Sequence, residues 1–158
     1  MSLEKKHKKA FETLFSQLYK NDMAATELSF MLLEVAHTWD DLVDKDKPVD
    51  TAEIDKAFLY SLQCIPMHPY WTPAMHAMLS SVYLRWHAAN CIESCSASTD
   101  NDLAKAWMLR ASLYDLFEML ALQLHGIEWA KSQAVMLRLF YGEQLTDFIM
   151  EVRKCRTQ

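Results

Sequence analysis

Asp40, Asp41 and Asp44 fall within little more than one helical turn, and Glu34-x-x-His37 comes just before them. Carboxylates one turn apart on a helix share a face, so their oxygens can reach a common ion. Mg²⁺ suits such a place, because it takes one or two carboxylates and fills its other positions with water and substrate phosphate. The chemistry this spacing suits is therefore a divalent metal holding a phosphorylated small molecule. In that reading Asp40, Asp41 and Asp44 are the metal ligands, and Glu34 and His37 are further ligands or acid–base groups. If there is hydrolysis, the metal orients a water and stabilises charge on the phosphate oxygens.

The electrostatics of the segment point the same way. Residues 34–50 carry six carboxylates against two lysines, a charge of −4 out of the chain's −5. These acids crowd the last turns of an expected helix, where unpaired carbonyls already present partial negative charge. Each acid there is disfavoured by roughly 0.3–1 kcal/mol compared with a cation. Such a cluster needs a cationic partner, and a metal is one. The basic run Lys5-Lys6-His7-Lys8-Lys9 is another, since a hairpin around Asn21 brings Lys5 level with Thr38. Exposed pairs of that kind contribute roughly 0–1 kcal/mol each. Candidate phosphate-holding groups are Lys5, Lys8, Arg85 and Arg110.

Two glycines and four prolines in 158 residues leave few breaks, and apolar spacing gives six helices in one domain, residues 1–158. Their expected spans are about 3–20, 23–45, 51–65, 73–95, 101–125 and 128–154. The expected architecture is an all-α bundle with sequential neighbours mostly antiparallel. The first helix turns Phe11, Leu14, Phe15 and Leu18 inward; the second, Leu28, Leu32, Val35, Trp39 and Leu42; the third, Ile54, Phe58, Leu62 and Ile65. Asp22, the Asp50-x-x-Glu53 box and Thr72-Pro73 read as helix starts.

The fifth helix is apolar nearly all round between Ala106 and Leu124, yet it carries Arg110, Asp115 and Glu118, with His125 at its end. Charges on a buried helix must be paired or metal-bound. With Asn90 and Glu93 of the fourth helix they form a candidate second wall of the pocket. The alternatives are an internal arginine–carboxylate network and, for Asn90 and Glu93, simple solvation.

His87, Cys91 and Cys95 recur at four-residue spacing, which makes half a zinc site or a set of small buried thiols. Glu34-x-x-His37 also has the spacing found in di-iron bundles, with Glu4-x-x-His7 as the other copy. The segment Pro66 to Thr72, with Tyr70 and Trp71, is a candidate lid, a dimer contact or packing under a loop. Acidic balance argues against nucleic acid and anionic membranes as partners. No apolar run reaches the roughly 18 residues that span a bilayer. A basic N-terminus without an apolar stretch after it gives the expectation of a soluble, cytoplasmic protein.

Trp39-Asp40-Asp41-Leu42-Val43-Asp44-Lys45-Asp46-Lys47-Pro48-Val49 resembles a segment of small all-α proteins of bacteriophages and prophages. Trp86-x3-Asn90-x2-Glu93, Arg110-x3-Tyr114 and Gly126-x-Glu128-Trp129 continue that likeness over most of the chain. It implies a phage origin, with the host cytosol as the place of action, and no assigned chemistry. Asp40-Asp41-Leu42-Val43-Asp44 is also similar to the first aspartate-rich motif of class I isoprenoid synthases, which bind diphosphate through Mg²⁺. Asn90 and Ser94 fit their second metal motif, while position 98 is serine. Asp41-x-x-Asp44 resembles one acid pair of the all-α nucleotide pyrophosphohydrolases. The sequence thus leaves two expectations. One is a phage-type protein that binds Mg²⁺ with a phosphorylated small molecule. The other is a non-catalytic helical module that binds a host or virion protein through the Tyr70–Trp71 loop. Catalysis and a homodimer are left open.

Overall fold

Short polar side chains mark the starts of four helices. A computed structural model describes residues 3–45 and 48–156, with side chains described from Lys8 onward. Helix α1 spans Leu3–Leu18 and α2 Met23–Asp44; the Asp22 carboxylate caps α2 by accepting the Ala25 N–H at 3.0 Å. Helix α3, Thr51–Leu59, opens on the reciprocal Asp50/Glu53 capping box. Thr72 caps α4, Pro73–Ser94, and a second reciprocal box, Thr99/Asp102, opens α5, Asp100–Arg110. Then follow α6, Tyr114–His125, α7, Ile127–Phe140, and α8, Leu145–Arg156. The described residues contain no strand, and the all-α expectation holds. None of these helices is long and apolar enough to cross a membrane.

Two of the expected helices divide. The fifth breaks at Ala111–Leu113, a single 3₁₀ turn between α5 and α6. The sixth ends at Phe140, and Tyr141–Gln144, with Gly142 among them, separate α7 from α8. The third gains a π turn over Tyr60–Cys64, where Ile65 N–H bonds the Tyr60 carbonyl at 2.9 Å. That wider turn inserts a residue into the helical period. Ile65 is buried as expected, but Phe58 and Leu62 face out at 63% and 74% exposure.

The main core joins α1, α2, α4, α6 and α7. Phe15 sits at its centre, with the Phe117, Phe30 and Phe11 rings 5.0, 5.3 and 5.6 Å away. One polar contact runs through it: the Tyr19 hydroxyl and Ser29 Oγ are 2.7 Å apart, both fully buried. A second, smaller core of Ala89, Leu103, Ala106 and Phe148 joins the far half of α4 to α5 and α8. Helix α2 runs past the main core. Leu28 and Leu32 are buried, but Trp39 and Leu42, both expected inside, are half exposed. Helical periodicity names the apolar side of α2 correctly; over its last two turns little packs against that side.

Candidate functional site

Arg110 is the last residue of α5, and the 3₁₀ turn after it leaves its side chain facing the ends of α2 and α4. Its guanidinium gathers three carboxylates. Nε and Nη2 donate to the two oxygens of Glu93, at 2.8 and 2.5 Å, in the bidentate fork that arginine favours. Nη1 donates to Asp40 Oδ1 at 2.8 Å, and Nη2 stands 3.5 Å from Asp44 Oδ2. The Trp86 indole N–H donates to the same Asp40 oxygen at 3.2 Å, and the Trp86 ring meets Trp39 edge-on, centroids 6.0 Å apart.

Burial grades the cluster. The Arg110 and Glu93 side chains are 15% and 13% exposed, Asp40 and Asp44 43% and 38%. Burial pulls the Arg110 proton affinity down, but Glu93 first, then Asp40 and Asp44, more than offset it and leave the pKa above its ordinary value. Three carboxylates thus share one guanidinium. The arrangement fixes Glu93 and Asp40 in place and leaves carboxylate oxygen facing water at the tip of α2.

Of the candidate residues named from sequence, the fold brings together Asp40, Asp44, Glu93 and Arg110. Asp41 lies beside them on α2, half-buried, and His37 is exposed one turn back. Glu34 faces the other way and pairs with Lys56 of α3, whose pKa that hydrogen bond raises. Asp115 and Glu118 are not a second wall of this site. The 3₁₀ turn redirects the chain after Arg110, and Asp115 lies between Arg85 and Arg138, the latter at 2.5 Å. Arg138 also holds Glu118, at 2.6 Å. This second network rims an open groove among α4, α6 and α7, floored by Met78, Met119, Leu122 and Ile127. The internal arginine–carboxylate alternative describes both networks.

Asn90 is partly buried on α4, and its Oδ1 has no hydrogen-bond partner among the described residues. Cys91, Cys95 and Cys155 are exposed, which corrects the reading of buried thiols. Among the described residues no group of three or more His, Cys, Asp or Glu side chains is disposed to hold a metal ion. The side chains of Glu4, Lys5, Lys6 and His7 lie outside the described residues, so Lys5 as a phosphate or carboxylate partner does too; Lys8 is exposed on α1. Tyr70 and Trp71 pack into the main core, and the Tyr70 hydroxyl donates to Asp22 at 2.9 Å.

Sequence reading missed two functional features. Trp86 orients Asp40, and Arg156 of α8 holds the last turn of α4 by donating to the Glu93 and Ile92 carbonyls at 2.8 and 3.0 Å. Comparison with protein-family models, curated proteins and solved structures finds no match.

Proposed function

We propose that this bundle is a non-catalytic helical module that docks a partner protein, of host or virion, on the exposed end of α2. One observation carries the reading. Trp39, Leu42 and Val43 are 50%, 44% and 45% exposed and share one side of the last two turns of α2, beside carboxylates that Arg110 and Trp86 hold in place. Apolar side chains grouped in the open and rimmed by polar groups are the pattern of a protein-binding patch. The partly exposed Asp40 and Asp44 carboxylates specify the partner's chemistry: an apolar segment flanked by lysine or arginine, drawn in by complementary potential. On this reading the pre-ordered acids act as a mimic of an anionic ligand.

A second reading, Mg²⁺ with a phosphorylated small molecule on Asp40, Asp41 and Asp44, draws support from the partial exposure of Asp40 and Asp44. One pair of measurements separates the two. A fluorescently labelled Leu/Lys-rich helical peptide serves as the partner probe, read by anisotropy. Docking predicts binding that weakens as salt rises, is lost in Val43→Asp and is reduced in Trp39→Ala. Melting temperatures in Mg²⁺ and in EDTA then agree. The docking reading is overturned by a peptide that fails to bind at low salt. It is equally overturned if Mg²⁺ raises the melting temperature of the parent and leaves Asp44→Asn unmoved.

A further inference from the structure

The outer side of the last turns of α4 carries a second constellation that the acidic end does not use. His87, Cys91 and Cys95 lie at successive four-residue steps and, with Asn90 and Ser94, line one shallow pocket. Both thiols are exposed. His87 Nε2 stands 3.6 Å from Cys91 Sγ, close enough for the imidazole to take the thiol proton. Cys95 is the C-cap of α4, where the chain turns through Ala97 and Ser98. Polar groups of this turn, the Ala97 N–H first, together with the Arg156 charge from α8, hold the thiol below its ordinary pKa, while the Ser98 hydroxyl donates to the Ile92 carbonyl at 2.7 Å. A low-pKa, accessible thiol with a second thiol next to it is the pattern of oxidant-responsive cysteines. Asn90 and Ser94 complete the polar lining of the same pocket.

We propose that Cys95 and Cys91 form a dithiol that one hydroperoxide oxidises to a disulfide, stoichiometrically and without turnover, with Cys95 as the attacking thiolate, Cys91 as the resolving thiol and His87 as its base. The Cys95 sulfur attacks one peroxide oxygen. An S–O bond forms as the O–O bond breaks, and the leaving alkoxide or hydroxide takes a proton to depart as alcohol or water. Cys95 is then a sulfenic acid, oxidised by two electrons. Cys91 gives its proton to His87 and attacks the Cys95 sulfur. The S–S bond forms, the S–O bond breaks, and the hydroxide leaves as water with the proton from His87. Two thiols and one hydroperoxide give one disulfide, one alcohol or water, and one further water.

The location ties this chemistry to the acidic end. Residues four apart on a helix keep their Cβ atoms about 5–6 Å apart, whereas a disulfide needs about 4 Å. Closing the bond therefore deforms the last turn of α4. Glu93 lies inside that closed loop, and its carboxylate is the one that grips Arg110 through two hydrogen bonds. Oxidation loosens this grip and frees Arg110 from its most buried partner.

The test uses the full chain, hydrogen peroxide as the probe, thiol counting and disulfide mapping by mass. The expected result is loss of two of the four thiols into a Cys91–Cys95 bond that dithiothreitol reverses. Cys91→Ser stops at a dimedone-reactive sulfenic acid on Cys95. Cys95→Ser slows oxidation of Cys91 on the order of tenfold. His87→Gln slows closure and leaves sulfenic acid formation unchanged. Bonds to Cys64 or Cys155 instead, Cys95 oxidising no faster than the exposed reference Cys155, or Cys95→Ser reacting like the parent would each overturn the proposal.

Discussion

Replacing Arg110 by methionine keeps most of the apolar stem and removes the guanidinium, which isolates its charge from its packing. Asp40 and Asp44 are more than a third exposed, so water screens what they lose, and each contributes roughly 0–1 kcal/mol. Glu93 is different. At 13% exposure it loses a bidentate partner and keeps its charge. Removing one member of a buried pair costs about 3–5 kcal/mol, and residual exposure puts this case at the lower end, about 3 kcal/mol. For a chain of this length that corresponds to a melting temperature lower by roughly 6–12 °C. Urea unfolding followed by circular dichroism gives the free energy directly. The double variant Arg110→Met, Glu93→Gln recovers more than half of the loss, because the stranded charge is then gone. If Arg110→Met unfolds within about 0.5 kcal/mol of the parent, as an ordinary surface substitution would, the acidic end is not held by this arginine. The site argument would then fail.

Tyr19→Phe costs about 1 kcal/mol in the same assay, since Ser29 keeps its bond to the Ala25 carbonyl at 2.9 Å but loses the phenol. Adding Ser29→Ala costs less than the sum of the two single changes. Gly126 joins α6 to α7 at φ 80°, ψ 173°, a conformation essentially reserved for glycine, so Gly126→Ala lowers stability by about 1–3 kcal/mol. The Thr99 hydroxyl first, then Lys105 and the Thr99 N–H, hold the Asp102 carboxyl down to about 2. A lowered carboxyl pKa stabilises the fold above the unfolded value of about 3.9, and that contribution is lost as pH falls from there toward 2. A carboxyl NMR titration of Thr99→Ala shows Asp102 moving up toward the unfolded value and the acid sensitivity in that window shrinking.

What was legible in the sequence is what is local. Asp22, the Asp50/Glu53 box and Thr72 act on backbone two or three residues away, so they mark helix starts without knowledge of the fold. The inward stripe of α1 was equally legible, because its period is set within a few turns. Arg110 as a partner of Asp40 was not: it is seventy residues away, and only tertiary packing brings the two together. Trp39 and Phe58 failed for another reason. A helical period says which residues share a side, but whether another helix covers that side depends on where the rest of the chain ends up. The π turn at Tyr60–Cys64 left no compositional mark, and it shifts the helical register of the residues that follow it.

The 3₁₀ turn at Ala111–Leu113 works like an offset in a crankshaft. A straight helix would lock the bearings of Arg110 and Asp115 to each other, and every change in one network would be felt as a rotation of the other. With the offset, the arginine at the tip of α2 and the arginine on α7 answer to separate shafts. Either end of the molecule can have its charges rewritten, by selection or by design, while the opposite end keeps its alignment.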